Sequence, residues 1–330
     1  MLSNSHHHHI LTFYHHHLFP ILVYFVFQTH TNSFTGHKYV HQYCGQALVT
    51  HCRYSVLTQE LTNDLYHFDL AAWLSTCKTW NDGGGPFEQA WIELPNLFHW
   101  FKSQVSRTYP DPSRDLYERH MNAWDQYLHN ELKPYLSSPY LSSILVFLTY
   151  PSAAPLWDWI HLPPLLGLKY DDSLAIVEKD REELHLLGLK TQHEPYRAMM
   201  AQFLTDRERA DEYFVTKEMY ADVAVKVAKY MFEPKQPGKL YQYPLPSEWV
   251  WYRRDHEDKI YRERKTKETF QVGLQYLAFF LSQAGENAEL REYLEKRGLD
   301  EVRARELPRE AWAVDKKAVE DEVERYLKVC

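Results

Sequence analysis

Apolar residues recur at helical spacing along much of the chain. Leu116, His120, Trp124 and Leu128 lie four positions apart, so one face of "RDLYERHMNAWDQYLHNEL" is set for burial, with Ser113 as its cap. Pro195 stands where a first helical turn tolerates it. Tyr196, Met199, Met200, Phe203 and Leu204 then form an apolar stripe, followed by the polar run Asp206 to Arg209. Thr216 is placed to cap a further helix whose inner face carries Tyr220, Val223, Val227, Tyr230 and Met231. A charged stretch, "RRDHEDKIYRERKTKE", leads into the apolar "YLAFFL" of residues 276–281. A short helix should stop at Gly298, and a last one runs from Pro308 to about Lys328. No alternating strand pattern and no internal repeat emerges.

Proline-rich joints separate these segments: "GGGP" at 83–86, "YPDPS" at 109–113, and "EPKQPGKLYQYPLP" at 233–246. The last should be extended, because a residue preceding proline disfavours the α region. The expected fold is therefore all-α, an irregular multi-helix body with proline-rich connections.

Residues 137–166 are apolar and aromatic but broken by Pro151, Pro155, Pro163 and Pro164, which a straight membrane-spanning helix would not carry. Trp157 and Trp159 suit an interface, where a ring is covered and its N–H stays hydrated.

Composition narrows the classes. With 330 residues, 45% hydrophobic and 25% charged, the chain can bury a sizeable core. A net charge of -8 argues against nucleic acid as a partner. Four cysteines in this length make no disulfide framework. The first basic residue is Lys38 and the first acid Glu60. Histidine runs flank the apolar "LFPILVYFVF" at 18–27. Ten residues do not span a bilayer, and the expected basic start of a leader is missing. A membrane-associated helix, a targeting relic and an unstructured extension all remain open for residues 1–40.

The catalytic motifs are missing. His37, His41, Cys44, His51 and Cys52 are zinc-ligand types without the paired short spacings of a structural site. Glu182 and His185 have the i, i+3 spacing of carboxylate-bridged di-iron bundles, without a second copy. "NDGGGPF" lacks the Lys-Ser or Lys-Thr of a phosphate loop. The basic residues between Arg253 and Lys267 are interleaved with acids, as on a salt-bridged helix surface. No catalytic, cofactor or metal residues are assigned.

The informative stretch is "LGLKYDD", Leu166 to Asp172. It resembles the Leu-Gly-Leu-basic-aromatic-Asp-Asp signature of the subunit 7 family (14 kDa type) of the mitochondrial cytochrome bc1 complex. Upstream, "SSPYLSS" resembles the family's Ser-Pro-x-Leu-Ser segment. Downstream, "PYRAMMAQF" resembles its Tyr-Arg helix, and "VTKEMY" stands where the family has Leu-Pro-basic-acid-x-Trp. The resemblance covers residues 135–232. It departs at Pro163 and Pro164, at Met199 and Met200, and in the missing Pro and Trp of the last motif.

The resemblance implies a subunit-7-like helical core at 135–232; the flanks have no counterpart in the family, and a lineage-specific helical region at 41–134 and a helical C-terminal extension at 233–330 are expected beside it. It implies a non-catalytic structural subunit without cofactor or substrate of its own. Such a subunit lies on the matrix side of the mitochondrial inner membrane, packed against cytochrome b and other bc1 subunits. Partner-docking residues carried over in this way are Ser138, Pro139 and Leu141 from the first motif. Leu166, Gly167, Leu168, Tyr170, Asp171 and Asp172 come from the second, and Tyr196 and Arg197 from the third; Trp157 and Trp159 join them as interface residues. Read physically, Asp171 and Asp172 would begin a helix after the apolar approach to Gly167. An accessory subunit of ATP synthase, complex I or the mitoribosome is the alternative expectation, and a helical metalloenzyme using the histidines a third.

Overall fold

The computed structural model describes residues 59–71, 96–100, 102–103, 112–150, 162–166, 194–232, 255–298 and 310–329. Of these, 85% are helical and none is in a strand, so the fold is all-α. The chain divides between Pro134 and Tyr135 into two compact units.

In the first unit, α1 (Gln59–Tyr66) packs on α2 (Pro112–Leu132). The four-residue repeat of α2 is the buried face: Leu116, His120, Trp124 and Leu128 are all inside. The helix begins at Pro112, so Ser113 lies inside the first turn rather than capping it; proline is well suited to that position. Leu65, Phe68, Leu97, Phe98 and Trp100 complete this small core. His120 is 1% exposed, and its Nε2–H donates to the Leu65 carbonyl at 2.9 Å, tying α2 to α1.

In the second unit, the C-terminal elements fold onto the 135–232 region. The element order is α3 (Leu141–Leu148), α4 (Leu162–Leu165), α5 (Glu194–Leu204), α6 (Arg207–Ala210), α7 (Lys217–Phe232), α8 (Asp255–Gln283), α9 (Ala288–Tyr293) and α10 (Glu310–Val329). Helix α7 is central, with α3, α4, α8 and α9 packed against it. Of the predicted inner residues, Tyr230 is half-buried and Tyr220, Val223, Val227 and Met231 are buried. So are Ala221, Ala224, Val225, Ala228 and Phe232, because neighbours cover several faces. Small alanines let those neighbours approach.

Helix α8 lies between α7 and α10. Its Gly273 marks the closest approach. A methyl group there would come 2.5 Å from Met231 Sδ and 3.0 Å from Leu165 Cδ2. On the far side of α8, α10 buries Val319, Val323 and Tyr326 at helical spacing.

The turns are held by specific groups. Met219 N–H donates to Thr216 Oγ1 at 3.3 Å, the expected cap of α7. The polar run after α5 forms α6, capped by Asp206, whose Oδ1 accepts from Glu208 N–H. Asn287 caps α9 through Leu290 N–H at 2.9 Å. Tyr326 Oη donates to the Gly285 carbonyl and accepts from Asn287 N–H, fixing α10 to the turn after α8. After α9 the chain makes a π-helical turn, Leu294–Gly298, that ends at the expected glycine.

Candidate functional site: a buried guanidinium among aromatic rings

The apolar run in α3 forms a short helix whose residues Ser143 to Leu148 are all buried. With eight residues, it has a large share of unsatisfied backbone groups at its ends. At its C-terminal end, Thr149 Oγ1 donates to the Val146 carbonyl at 2.7 Å and accepts from Tyr220 Oη at 2.8 Å. Burial raises the Tyr220 pKa, and the bond to Thr149 partly opposes that rise.

The next carbonyl, Phe147, accepts from Arg197. This residue of α5 is only 1% exposed. Its Nη2 donates to Phe147 O at 3.1 Å and to Tyr276 Oη at 3.2 Å, joining α3, α5 and α8 through one side chain. Tyr150 contributes its ring face, with the centroid 5.7 Å from Arg197 Cζ. No carboxylate among the described residues forms an ion pair with Arg197. The charge is held instead by a carbonyl at a helix C-terminus, a phenol and a π face, all of the favourable sign.

Aromatic rings enclose this point. Phe147 meets Tyr276 and Phe280 edge-on at 4.8 and 5.0 Å. Tyr150 lies 4.6 Å from Tyr276 and 5.2 Å from Phe279. Burial pushes the pKa of Tyr276 upward, with Arg197 pulling the other way. Burial also raises Tyr150, reinforced by the Asp315 carboxylate. Asp315 is itself raised by burial, and accepts from Gln275 Nε2 at 3.3 Å. Both phenols therefore remain protonated donors at neutral pH.

The residues singled out by sequence divide sharply. Arg197 is inside. It stands three and seven positions before Met200 and Leu204, on the same buried stripe. Leu166 is buried beside Leu165 in the unit's interior. Leu141 opens α3 and is half-buried. Ser138 Oγ accepts from Tyr140 N–H at 3.3 Å, forming a tight local turn before the helix, and Pro139 is exposed in that turn. Tyr196 lies in the first turn of α5. Trp157, Trp159, Gly167, Leu168, Tyr170, Asp171 and Asp172 lie outside the described residues, as do the histidine and cysteine cluster at 37–52 and the Glu182/His185 pair.

Sequence reasoning did not select Tyr150, Phe147 or Tyr276. Their only signal was membership of the apolar runs "ILVFLTY" and "YLAFFL", which does not single out one hydroxyl or one carbonyl. Among the described residues, no group of three or more His, Cys, Asp or Glu is placed to hold a metal ion. No described helix is long and apolar enough to cross a membrane. No protein-family model matches the chain, and no curated protein or solved structure matches it significantly.

Proposed function

We propose that the chain is a non-catalytic structural subunit of an enlarged mitochondrial cytochrome bc1 complex. In this reading it lies on the matrix side of the inner membrane, packs against cytochrome b and neighbouring subunits, and supports assembly and electron transport. The support is the order of the motif-like segments "SSPYLSS", "LGLKYDD", "PYRAMMAQF" and "VTKEMY". One observation carries the reading furthest. The helices that follow or contain three of these segments, α3, α5 and α7, belong to one core, and Arg197 of the Tyr-Arg segment bonds directly to α3; of "LGLKYDD" only Leu166 lies among the described residues. A motif set with a common structural purpose is expected to converge in this way.

Affinity purification of the tagged chain from mitochondrial membranes of its source tests the assignment. Haem b and haem c, seen as reduced-minus-oxidised absorbance bands, should co-purify. Recovery with ATP synthase, complex I or mitoribosomal proteins and no haem would overturn it in favour of another assembly. A second arm removes cytochrome b. The chain should then be degraded, because apolar surface shaped for a partner is a liability without it. Undiminished, membrane-bound protein would count against the reading.

A further inference from the structure

The start of α7 is closed by a reciprocal pair of hydrogen bonds. Thr216 Oγ1 accepts from Met219 N–H at 3.3 Å, and Thr216 N–H donates back to Met219 Sδ at 3.5 Å. This is the arrangement of a capping box, in which the side chain three residues into the helix takes the N–H of the cap residue. Glutamate or glutamine ordinarily holds that place. Here a thioether does, and its sulfur is a weak acceptor. The Thr216 hydroxyl also bonds the Glu218 carboxylate, which lowers the pKa of that acid. The junction reaches beyond one helix. Val215 N–H donates to the Leu204 carbonyl at the end of α5, and Gly285 N–H, in the turn after α8, donates to the Lys217 carbonyl. The cap therefore sits where α5, α7 and α8 meet.

Met219 is also within reach of solvent. It is half-buried, whereas Met199, Met200 and Met231 are buried. We propose that Met219 is an oxidation site, and that its sulfoxide tightens the α7 cap. Hydrogen peroxide is the oxidant. A sulfur lone pair attacks one peroxide oxygen, the S–O bond forms and the O–O bond breaks. The second oxygen takes the proton of the first and leaves as water; sulfur is oxidised and the peroxide reduced. The sulfoxide oxygen is a polar acceptor that stands in for the glutamine carbonyl of an ordinary capping box. The flexible methionine stem lets that oxygen turn to Thr216 N–H, and half-burial keeps it hydrated on its other side. The same oxygen on Met200 would be forced into a closed core. The site does not depend on which assembly the chain joins.

The test is limited peroxide treatment of the full chain, with peptide mass spectrometry to place the added oxygen and amide hydrogen exchange to read the cap. Met219 should gain an oxygen before Met199, Met200 and Met231 do. The Thr216 amide should then exchange about fivefold more slowly, the factor set by one neutral hydrogen bond. Met219→Gln installs the ordinary capping box and should show the same slow exchange without peroxide. Met219→Leu should show no response to peroxide at Thr216; a response there would assign the effect to half-buried Met121 and overturn the proposal. Oxidation of Met219 no faster than that of the buried methionines would overturn it as well. So would unchanged or faster Thr216 exchange in the oxidised chain, which decides the matter without any variant.

Discussion

His120 offers a direct way to probe the first unit. Its imidazole is buried under α1, bonded to the Leu65 carbonyl and 6.1 Å from the Phe68 ring. Burial depresses its pKa from 6.5 to about 4; the Leu65 bond opposes that shift, and neighbouring Arg119 adds to it. The folded state therefore favours the neutral ring, whereas the unfolded chain protonates near 6.5. Between those two values the unfolded state binds more protons, so stability falls as pH falls. The contribution is fully present above pH 6.5 and is lost progressively down to about pH 4. A gap of about 2.5 pH units, at 1.36 kcal/mol each, sets the loss at roughly 3 kcal/mol.

The chain contains 19 histidines, so the pH dependence must be isolated by difference. His120→Gln keeps a donor for Leu65 and cannot titrate. Denaturant unfolding of both proteins at pH 7 and at pH 4.5 should use a probe in this unit. Exchange of the α2 amides around buried Trp124 serves that purpose. Wild type should lose about 2–3 kcal/mol more than the variant between these pH values. Equal losses would refute the reasoning, as would a His120 ring proton titrating near 6.5 by NMR.

Three further outcomes concern the second unit. Gly273→Ala should destabilise it by about 1–2 kcal/mol, because Met231 and Leu165 are themselves enclosed and the helix propensity gained offsets only part of the clash; thermal melts measure this. Asn287→Ala removes the acceptor for Leu290 N–H and should cost about 1 kcal/mol, read as a lower denaturant midpoint at unchanged slope. Tyr220→Phe leaves Thr149 bonded to Val146 and should cost about 1 kcal/mol, with the exchange rate of the Thr149 amide as the local readout.

Much of the helical framework was legible in the sequence because helix periodicity is a local property. The spacing of Leu116, His120, Trp124 and Leu128 determined a buried face before any partner was known. Thr216 marked its helix start for the same reason: a cap acts on groups within one turn. The sequence also determined the all-α class, through segments with no alternation at the period of a strand.

Only the tertiary structure decided what surrounds those faces. Nothing within α7 says that Ala221, Val225 and Ala228 are buried alongside its main stripe; that follows from helices arriving on several sides. Gly273 gains its meaning from Met231 on another helix. Arg197 shows the limit most clearly. Its spacing from Met200 and Leu204 places it on an inner face, but its hydrogen-bond partners stand 50 and 79 residues away in sequence. Whether a buried charge is satisfied depends on groups brought within about 3 Å by folding, and no local pattern encodes that meeting.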